Sequence, residues 1–330
     1  MGLLLPIIHQ YGILLGQYIE IGREVQFIDL SNSQKRSWFA RNPHWAYILP
    51  SVIILVLLTI VPMIFLYYVS VTNYELGQFW NDIHVVGLKN YIRLFSGRDN
   101  EFWSSVGISL LFMFLATFFE TICGFIVALL LNHKFKLKSL VFACLLVPIT
   151  ITPSVVGQMW KLMYNAEYGV INYFIGLLFH TKVVWLGPAL AYTSTLLVDI
   201  WQWTPFMALI IYAGLTSVPQ EPYEAALVDG AGVFQSFKYV TLPLLRPLLV
   251  LAILFRSMDS LKLFDVPFVL TQGGPGSATE LLSLHIYNLG FAQTGWIGRA
   301  SATGVVLLII ITVLSQFLVR QLHKEGETKI

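Results

Sequence analysis

Residues 219–232 read Pro-Gln-Glu-Pro-Tyr-Glu-Ala-Ala-Leu-Val-Asp-Gly-Ala-Gly, and residues 240–243 read Val-Thr-Leu-Pro. This is the longest polar interruption in the second half of a very apolar chain. Its prolines suit the first turn of a helix, where a missing N–H is tolerated, and apolar residues follow at helical spacing. Because Gly230 and Gly232 interrupt that helix, we expect a second short helix that ends at Pro243. The stretch predicts a helix–turn–helix between two membrane spans.

The composition of the chain predicts an all-α integral membrane protein. Hydrophobic residues make up 56% of the 330 residues and charged residues 12%, and the mean hydropathy is +0.71, whereas soluble domains carry about 25% charged residues. The net charge of +2 is too small to indicate nucleic-acid binding. Cys123 and Cys144 both fall in apolar stretches, where thiols pack as small hydrophobes, and the sequence has no metal-ligand motif.

Six apolar stretches are long enough to cross a bilayer, which requires about 20 residues. They cover residues 46–71, 104–131, 140–163, 189–215, 244–270 and 298–322. Prolines within spans are tolerated where neighbouring helices satisfy the backbone. We expect Pro148 and Pro153 to bend the third span and Pro205 to bend the fourth.

Residues 1–45 and 323–330 flank this predicted six-helix domain of residues 46–322. Residues 1–22 are apolar but interrupted by polar side chains, and they show no cleavable signal pattern. We favour a helix lying at the membrane interface over a seventh span. With the N-terminus in the cytoplasm, twelve of the 20 lysines and arginines fall in inside segments and four in outer loops. The positive-inside rule therefore predicts that both termini are cytoplasmic.

The spacing within the central stretch resembles a known family motif. Glu224-Ala-Ala is followed by three residues, Gly230, nine residues, and then Val240-x-Leu-Pro243. This pattern is similar to the EAA loop of the membrane subunits of ATP-driven, binding-protein-dependent importers of type I. The one departure is Val240, where the family often has isoleucine. We therefore interpret residues 217–243 as a coupling loop.

The resemblance implies a permease subunit in the prokaryotic cytoplasmic membrane that works within a larger assembly. Its partners would be a second homologous permease, two ATP-binding subunits and an extracytoplasmic substrate-binding protein. The sequence has no G-x-x-x-x-G-K-[ST] phosphate loop, so ATP and Mg²⁺ are expected on the partner subunits, and this chain is expected to be neither an enzyme nor a cofactor carrier. The residues that the resemblance assigns to ATPase coupling are Glu224, Ala225, Ala226, Asp229, Gly230, Leu242 and Pro243.

Charged residues inside the spans indicate either structural pairs or a substrate path, because a charge at mid-membrane costs about 2.5–3.5 kcal/mol and rarely faces lipid. Glu120, in the second span, is interpreted as a structural partner. In the fifth span, Arg256, Asp259, Lys262 and Asp265 follow at steps of three with alternating sign. On one helix each cation would reach a carboxylate.

A second polar group lies in the fourth span, where Asp199 is close to two tryptophans. Such a surface suits a sugar, whose ring stacks on an aromatic side chain while a carboxylate accepts from its hydroxyls, but it also suits an aromatic belt. In the fifth span we expect Arg256 to pair with Asp259 and the outer part to face a cavity. The predicted path residues are Asp199, Trp201, Trp203, Asp259, Ser260 and Lys262.

The segment after the fifth span points to the substrate class. Thr271-Gln-Gly-Gly-Pro-Gly276, followed by residues 279–291, resembles the outer segment of permeases for maltose, glycerol phosphate and polyols. A carbohydrate or polyol substrate is therefore expected, with glycerol-phosphate-type substrates as an alternative. Two rival classes are an ion-coupled secondary transporter, which would take up substrate without an ATPase, and a structural membrane scaffold, whose deletion would leave transport unchanged.

Overall fold

A computed structural model describes residues 43–97 and 99–326, with the side chains of residues 43, 44, 46 and 322–326 left undescribed. The interfacial helix predicted for residues 1–22 lies outside the described residues. The helices are α1 (Pro43–Ser70), α2 (Lys89–Phe95), α3 (Asn100–Asn132), α4 (Lys138–Thr150), α5 (Pro153–Met163), α6 (Val170–Phe179), α7 (Ala191–Ser217), α8 (Glu221–Val228), α9 (Val233–Ser236), α10 (Leu242–Leu261), α11 (Asp265–Thr271), α12 (Leu282–Tyr287) and α13 (Ile297–Gly326).

Within the described residues, five helices are long and apolar enough to cross a membrane, and a bent pair raises the number to six. The five are Tyr47–Ser70, Asn100–Asn132, Ala191–Ser217, Val233–Leu261 and Ile297–Gln321. The chain divides into two compact units between Met63 and Ile64, within α1. The second unit holds α2–α13 and is described below. The predicted all-helical membrane architecture is confirmed.

The bent pair is formed by α4 and α5, which meet at an angle of 100°. Thr152, the residue before Pro153, is extended with φ −62° and ψ 141°, as the proline ring requires of its predecessor. The carbonyl of Ile151 accepts a hydrogen bond from Gln202 of α7 at 3.1 Å, which satisfies a backbone group that the break leaves unpaired. The predicted bend of the third span is confirmed at Pro153, whereas α4 continues without interruption through Pro148 and α7 through Pro205.

Helices α3, α7 and α10 form the centre of the second unit. The approach of α3 to α7 is close at Gly124, where an added Cβ would lie 2.7 Å from the Cβ of Met207. Buried side chains from these helices, including Phe112, Val198 and Leu245, fill the interior between them. The three helices are therefore closely packed, and this packing fixes the positions of the polar side chains that they carry.

Two boundaries differ from the sequence prediction. The fifth span ends at Leu261, and α11 begins at Asp265, so the predicted continuation to residue 270 is wrong. The break falls among charged residues, since Asp259, Lys262 and Asp265 lie within seven residues. A continuous helix would carry all three charges deeper into the apolar layer.

The second difference is at Pro243, which was predicted to end a short helix. Instead, residues Val233–Leu261 form one long helix, with a π-helical turn at Phe237–Thr241 directly before α10. A proline inside an α-helix removes one hydrogen bond and clashes with the carbonyl four residues earlier. A wider π turn relieves such a conflict without ending the helix.

Candidate functional site

The centre of the second unit holds an ion cluster formed around one arginine. The Arg256 guanidinium, from α10, contacts Glu120 of α3 twice, with Nε donating to Oε2 at 2.6 Å and Nη2 donating to Oε1 at 2.9 Å. Nη2 also donates to Asp199 of α7. Nη1 lies 3.3 Å from Asp259 on its own helix. One cation therefore joins three spans.

The side chains of this cluster differ in how far they are buried. The side chains of Glu120 and Asp199 are 0% exposed and that of Arg256 is 1% exposed, whereas that of Asp259 is 48% exposed. Two-point pairing of a guanidinium with a carboxylate is strong and directional, and a buried charge without a partner is costly. The buried part of the cluster thus holds the three helices together, as the sequence predicted for Glu120.

Asp259, the exposed member of the cluster, lines a cavity of about 490 Å³. The ring of Trp203 lies 5.1 Å from Cζ of Arg256, within the range of a cation–π interaction. One wall of the cavity is therefore charged and the other is apolar. Its lining residues are Trp203, Phe206, Ile210, Phe255, Arg256, Met258, Asp259 and Lys262.

The structure divides the six predicted path residues into two groups. Trp203, Asp259 and Lys262 line the cavity. Asp199 and Ser260 are buried, and Trp201 packs edge-on against Trp160 with 5.5 Å between the ring centroids. Their role in a substrate path stays a prediction, but the aromatic ring and carboxylate that share an open surface are Trp203 and Asp259 rather than Trp203 and Asp199.

The predicted ladder of four charges is only partly present. Arg256 pairs with Asp259 as expected. Lys262 is the residue after α10, and among the described residues it forms no salt bridge. Asp265, on the next helix, accepts a hydrogen bond from Ser154 of α5 at 2.7 Å. The ladder is wrong beyond Asp259 because the helix that would align its charges ends at Leu261.

The predicted coupling loop is an exposed element with its own short helix. In α8, Glu224 and Ala225 are exposed, and Asp229 follows as the terminal residue. Gly230 has φ +75° with no atom within 4 Å of its would-be Cβ, so the backbone conformation, and not space, requires glycine there. Apolar side chains on both sides of this turn are exposed, namely Leu227, Val228, Val233 and Phe234. Leu242 and Pro243, the last two residues of the predicted coupling loop, form the first turn of α10.

The Gly-rich segment after α11 is closed by side-chain hydrogen bonds. The Thr279 hydroxyl lies 2.6 Å from that of Thr271 and donates to the Gly274 carbonyl at 3.0 Å. Next to it, Glu280 contacts His285 Nδ1 at 3.2 Å and accepts from Asn288 Nδ2 at 3.1 Å. The hydrogen bond with His285 makes the largest contribution to lowering the pKa of Glu280, and the bond from Asn288 also lowers it. Partial burial acts in the opposite direction but does not outweigh them. The segment is therefore held in its conformation by its own side-chain hydrogen bonds.

Sequence reasoning missed two features of the site. The pairing of Arg256 with Glu120 joins residues 136 positions apart, and no local pattern marks it. The apolar wall formed by Phe206, Phe255 and Met258 resembles any other lipid-facing or packed surface in sequence. Within the described residues, no group of three or more His, Cys, Asp or Glu side chains is placed to hold a metal ion.

Comparison with known proteins places this geometry in context. Residues 120–325 match the family described as "Binding-protein-dependent transport system inner membrane component". The chain is 38% identical over 265 residues to the trehalose/maltose transport system permease protein MalF of Thermococcus litoralis, covering 77% of this chain and 88% of that protein. It is 33% identical over 264 residues to the sulfoquinovosyl glycerol transport system permease protein SmoG of Agrobacterium fabrum, covering 79% and 84%.

Solved structures show the same fold. A chain of a bacterial ABC transporter involved in the import of the acidic polysaccharide alginate superposes with a TM-score of 0.73 at 22% sequence identity. The match covers 88% of this chain and 96% of that chain. Almost the whole length of the transporter chain is therefore represented here.

Proposed function

Because this chain belongs to the family of binding-protein-dependent transport system inner membrane components, we propose that it is a permease subunit of an ATP-driven carbohydrate importer. The observation that carries the proposal is the coupling sequence on an exposed helix between two spans, α7 and α10. The substrate class follows from relatives named for trehalose/maltose and sulfoquinovosyl glycerol transport. Both termini would lie in the cytoplasm, on the side of the coupling loop.

The coupling loop would bind an ATP-binding subunit. Its exposed apolar side chains around Gly230 can be buried in a cleft on that subunit, which is the usual driving force of association. Glu224 projects from the same helix and would meet a cation of the partner. ATP and Mg²⁺ would bind to two such subunits, because this chain has no phosphate loop of its own.

The cavity beside Arg256 would form this chain's half of the translocation path. A sugar ring could stack on Trp203 while its hydroxyls bond to Asp259 and Lys262, and the apolar wall would exclude competing water. A second, homologous permease would complete the path. ATP binding would then move the coupling helices and turn the cavity from the inner to the outer side, where the substrate-binding protein delivers its cargo.

The test is reconstitution of the complete complex in proteoliposomes with its candidate ATP-binding and substrate-binding partners. A panel of glycans is screened for stimulation of ATP hydrolysis, with maltose and trehalose included and amino acids as negative controls. We expect stimulation by at least one glycan only when the binding protein is present. Stimulation by amino acids alone would contradict the carbohydrate assignment.

A variant pair examines the path itself. Asp259→Ala should stop uptake while the complex assembles and still hydrolyses some ATP, because the exposed carboxylate touches cargo and contributes little to the fold. Asp82→Ala removes an exposed carboxylate far along the chain from the cavity and should leave uptake unchanged. Equal uptake by the two variants would remove Asp259 from the path.

A further inference from the structure

A cavity of about 430 Å³ lies beside the coupling helix α8. The cavity is lined by residues of α3, α7, α8 and the π turn, namely Leu129, Asn132, Leu215, Gln220, Tyr223, Glu224, Leu227 and Thr241. A helix that borders such a space has few packed side chains to hold its position. Movement of α8 can therefore reach the spans through the backbone at its two ends and through the side-chain contacts that bridge the cavity.

One polar contact bridges it. The Tyr223 hydroxyl of α8 lies 3.0 Å from the Thr241 hydroxyl at the end of the π turn. Among the described residues, this is the one side-chain hydrogen bond that joins α8 to another helix. Thr241 is buried, with 6% of its surface exposed, so its hydroxyl has little access to water as a substitute partner. Its other contact, to the Ser236 carbonyl, is long at 3.5 Å, near the limit of a hydrogen bond.

The π turn is itself connected to the centre of the second unit. Its first residue, Phe237, packs edge-on against Phe125 of α3, with 5.3 Å between the ring centroids. Its last residue leads directly into α10, which carries Arg256 and thus the bonds to α3 and α7. Movement of Thr241 would therefore be passed along one helix to the ion cluster and the cavity beside it.

We propose that Tyr223 is a positioning residue whose hydroxyl, through Thr241, transmits movement of the coupling helix to α10. The proposal rests on the proposed function, since it assumes that an ATP-binding subunit moves α8. Loss of the hydroxyl would leave α8 attached at its ends, because its backbone is continuous with α7 and α9. The coupling helix would then move partly independently of the spans.

The consequence is a loss of coupling rather than of assembly. In Tyr223→Phe the ring still fills its place beside the cavity, and the exposed surface that binds the partner is unchanged. A hydrogen bond of this kind contributes modestly, so the amount of sugar imported per ATP hydrolysed should fall about two- to tenfold. The rate of ATP hydrolysis and the yield of complex should stay near wild type.

The experiment compares five variants in the reconstituted complex. The probe is radiolabelled maltose, or the glycan selected by the screen above if maltose is not carried. Tyr223→Phe and Thr241→Val each remove one hydroxyl, and the double variant should lose no more coupling than either alone. Thr241→Ser keeps a hydroxyl and should retain wild-type coupling. The matched control is Tyr239→Phe, since Tyr239 is exposed on the same π turn.

The results separate this proposal from the proposed function. If wild type shows ATP-driven uptake but Tyr223→Phe has the coupling ratio of wild type or of Tyr239→Phe, the link is refuted and the importer assignment stands. A parallel fall of uptake and hydrolysis at constant ratio, or loss of subunits from the Tyr223→Phe complex, would also refute it, because the residue would then be structural. Absence of ATP-driven uptake in wild type would refute the proposed function instead.

Discussion

Replacement of Arg256 by methionine should be the most destabilising single change in the buried ion cluster of the second unit. The side chains of Glu120 and Asp199 are both 0% exposed and share this one guanidinium. Methionine keeps the length and apolar character of the stem but leaves two buried carboxylates without a cation. Breaking a buried ion pair by removing one partner typically costs about 3–5 kcal/mol, so we predict a loss of stability of about that size.

The assay is unfolding of the purified complex in nanodiscs, by heat or by denaturant, with each variant compared with wild type. Asp259→Asn is the matched control, because its side chain is 48% exposed and exposed ion pairs contribute about 1 kcal/mol or less. The triple variant Arg256→Met, Glu120→Gln, Asp199→Asn removes the buried charges together and should recover much of the lost stability. An Arg256→Met complex as stable as the Asp259→Asn complex would refute the reasoning. A triple variant less stable to unfolding than Arg256→Met would refute it as well.

Three further predictions follow from the local geometry. The hydrogen bond with His285 lowers the pKa of Glu280, so the ionised carboxylate stabilises the fold above the ordinary carboxylate pKa, and this stability is lost as the pH falls through the lowered value. Glu280→Gln should therefore lower the free energy of unfolding at neutral pH and flatten the acid limb of the stability profile, with no difference from wild type below the lowered pKa. Gly230→Leu places a leucine in a backbone conformation with φ +75°, which costs about 1–2 kcal/mol. It should therefore reduce the amount of substrate taken up per ATP hydrolysed in the reconstituted complex. A cysteine at position 259 should react with a small polar thiol reagent, whereas one at position 260 should be protected, because Ser260 is buried; equal labelling would contradict the described cavity.

The amino-acid sequence predicted the membrane architecture well because its signals are local. Length and hydropathy indicated the spans, and Pro153 indicated the bend that the structure places between α4 and α5. The coupling sequence was recognisable from the spacing of Glu224 and Gly230. Each of these features depends on residues within one or two helical turns of one another.

Features that depend on tertiary packing could not be predicted in the same way. Spacing alone favoured a ladder of Arg256 with its neighbours on one helix, but the closest partners of Arg256 lie on α3 and α7. Likewise, Pro243 is a reasonable helix end in isolation, and only the π turn before it allows the helix to continue. In both places a long-range contact or a change of helix type outweighs the local preference.

The most direct test of the central claim is uptake of a labelled glycan into proteoliposomes that contain the complete complex. The energy source is varied between internal or external ATP and an imposed proton or sodium gradient. We predict uptake that requires ATP on the side of the coupling loop and the binding protein on the opposite side, and that is unchanged when ion gradients are collapsed. Uptake driven by an ion gradient in the absence of ATP would contradict the account and favour a secondary transporter.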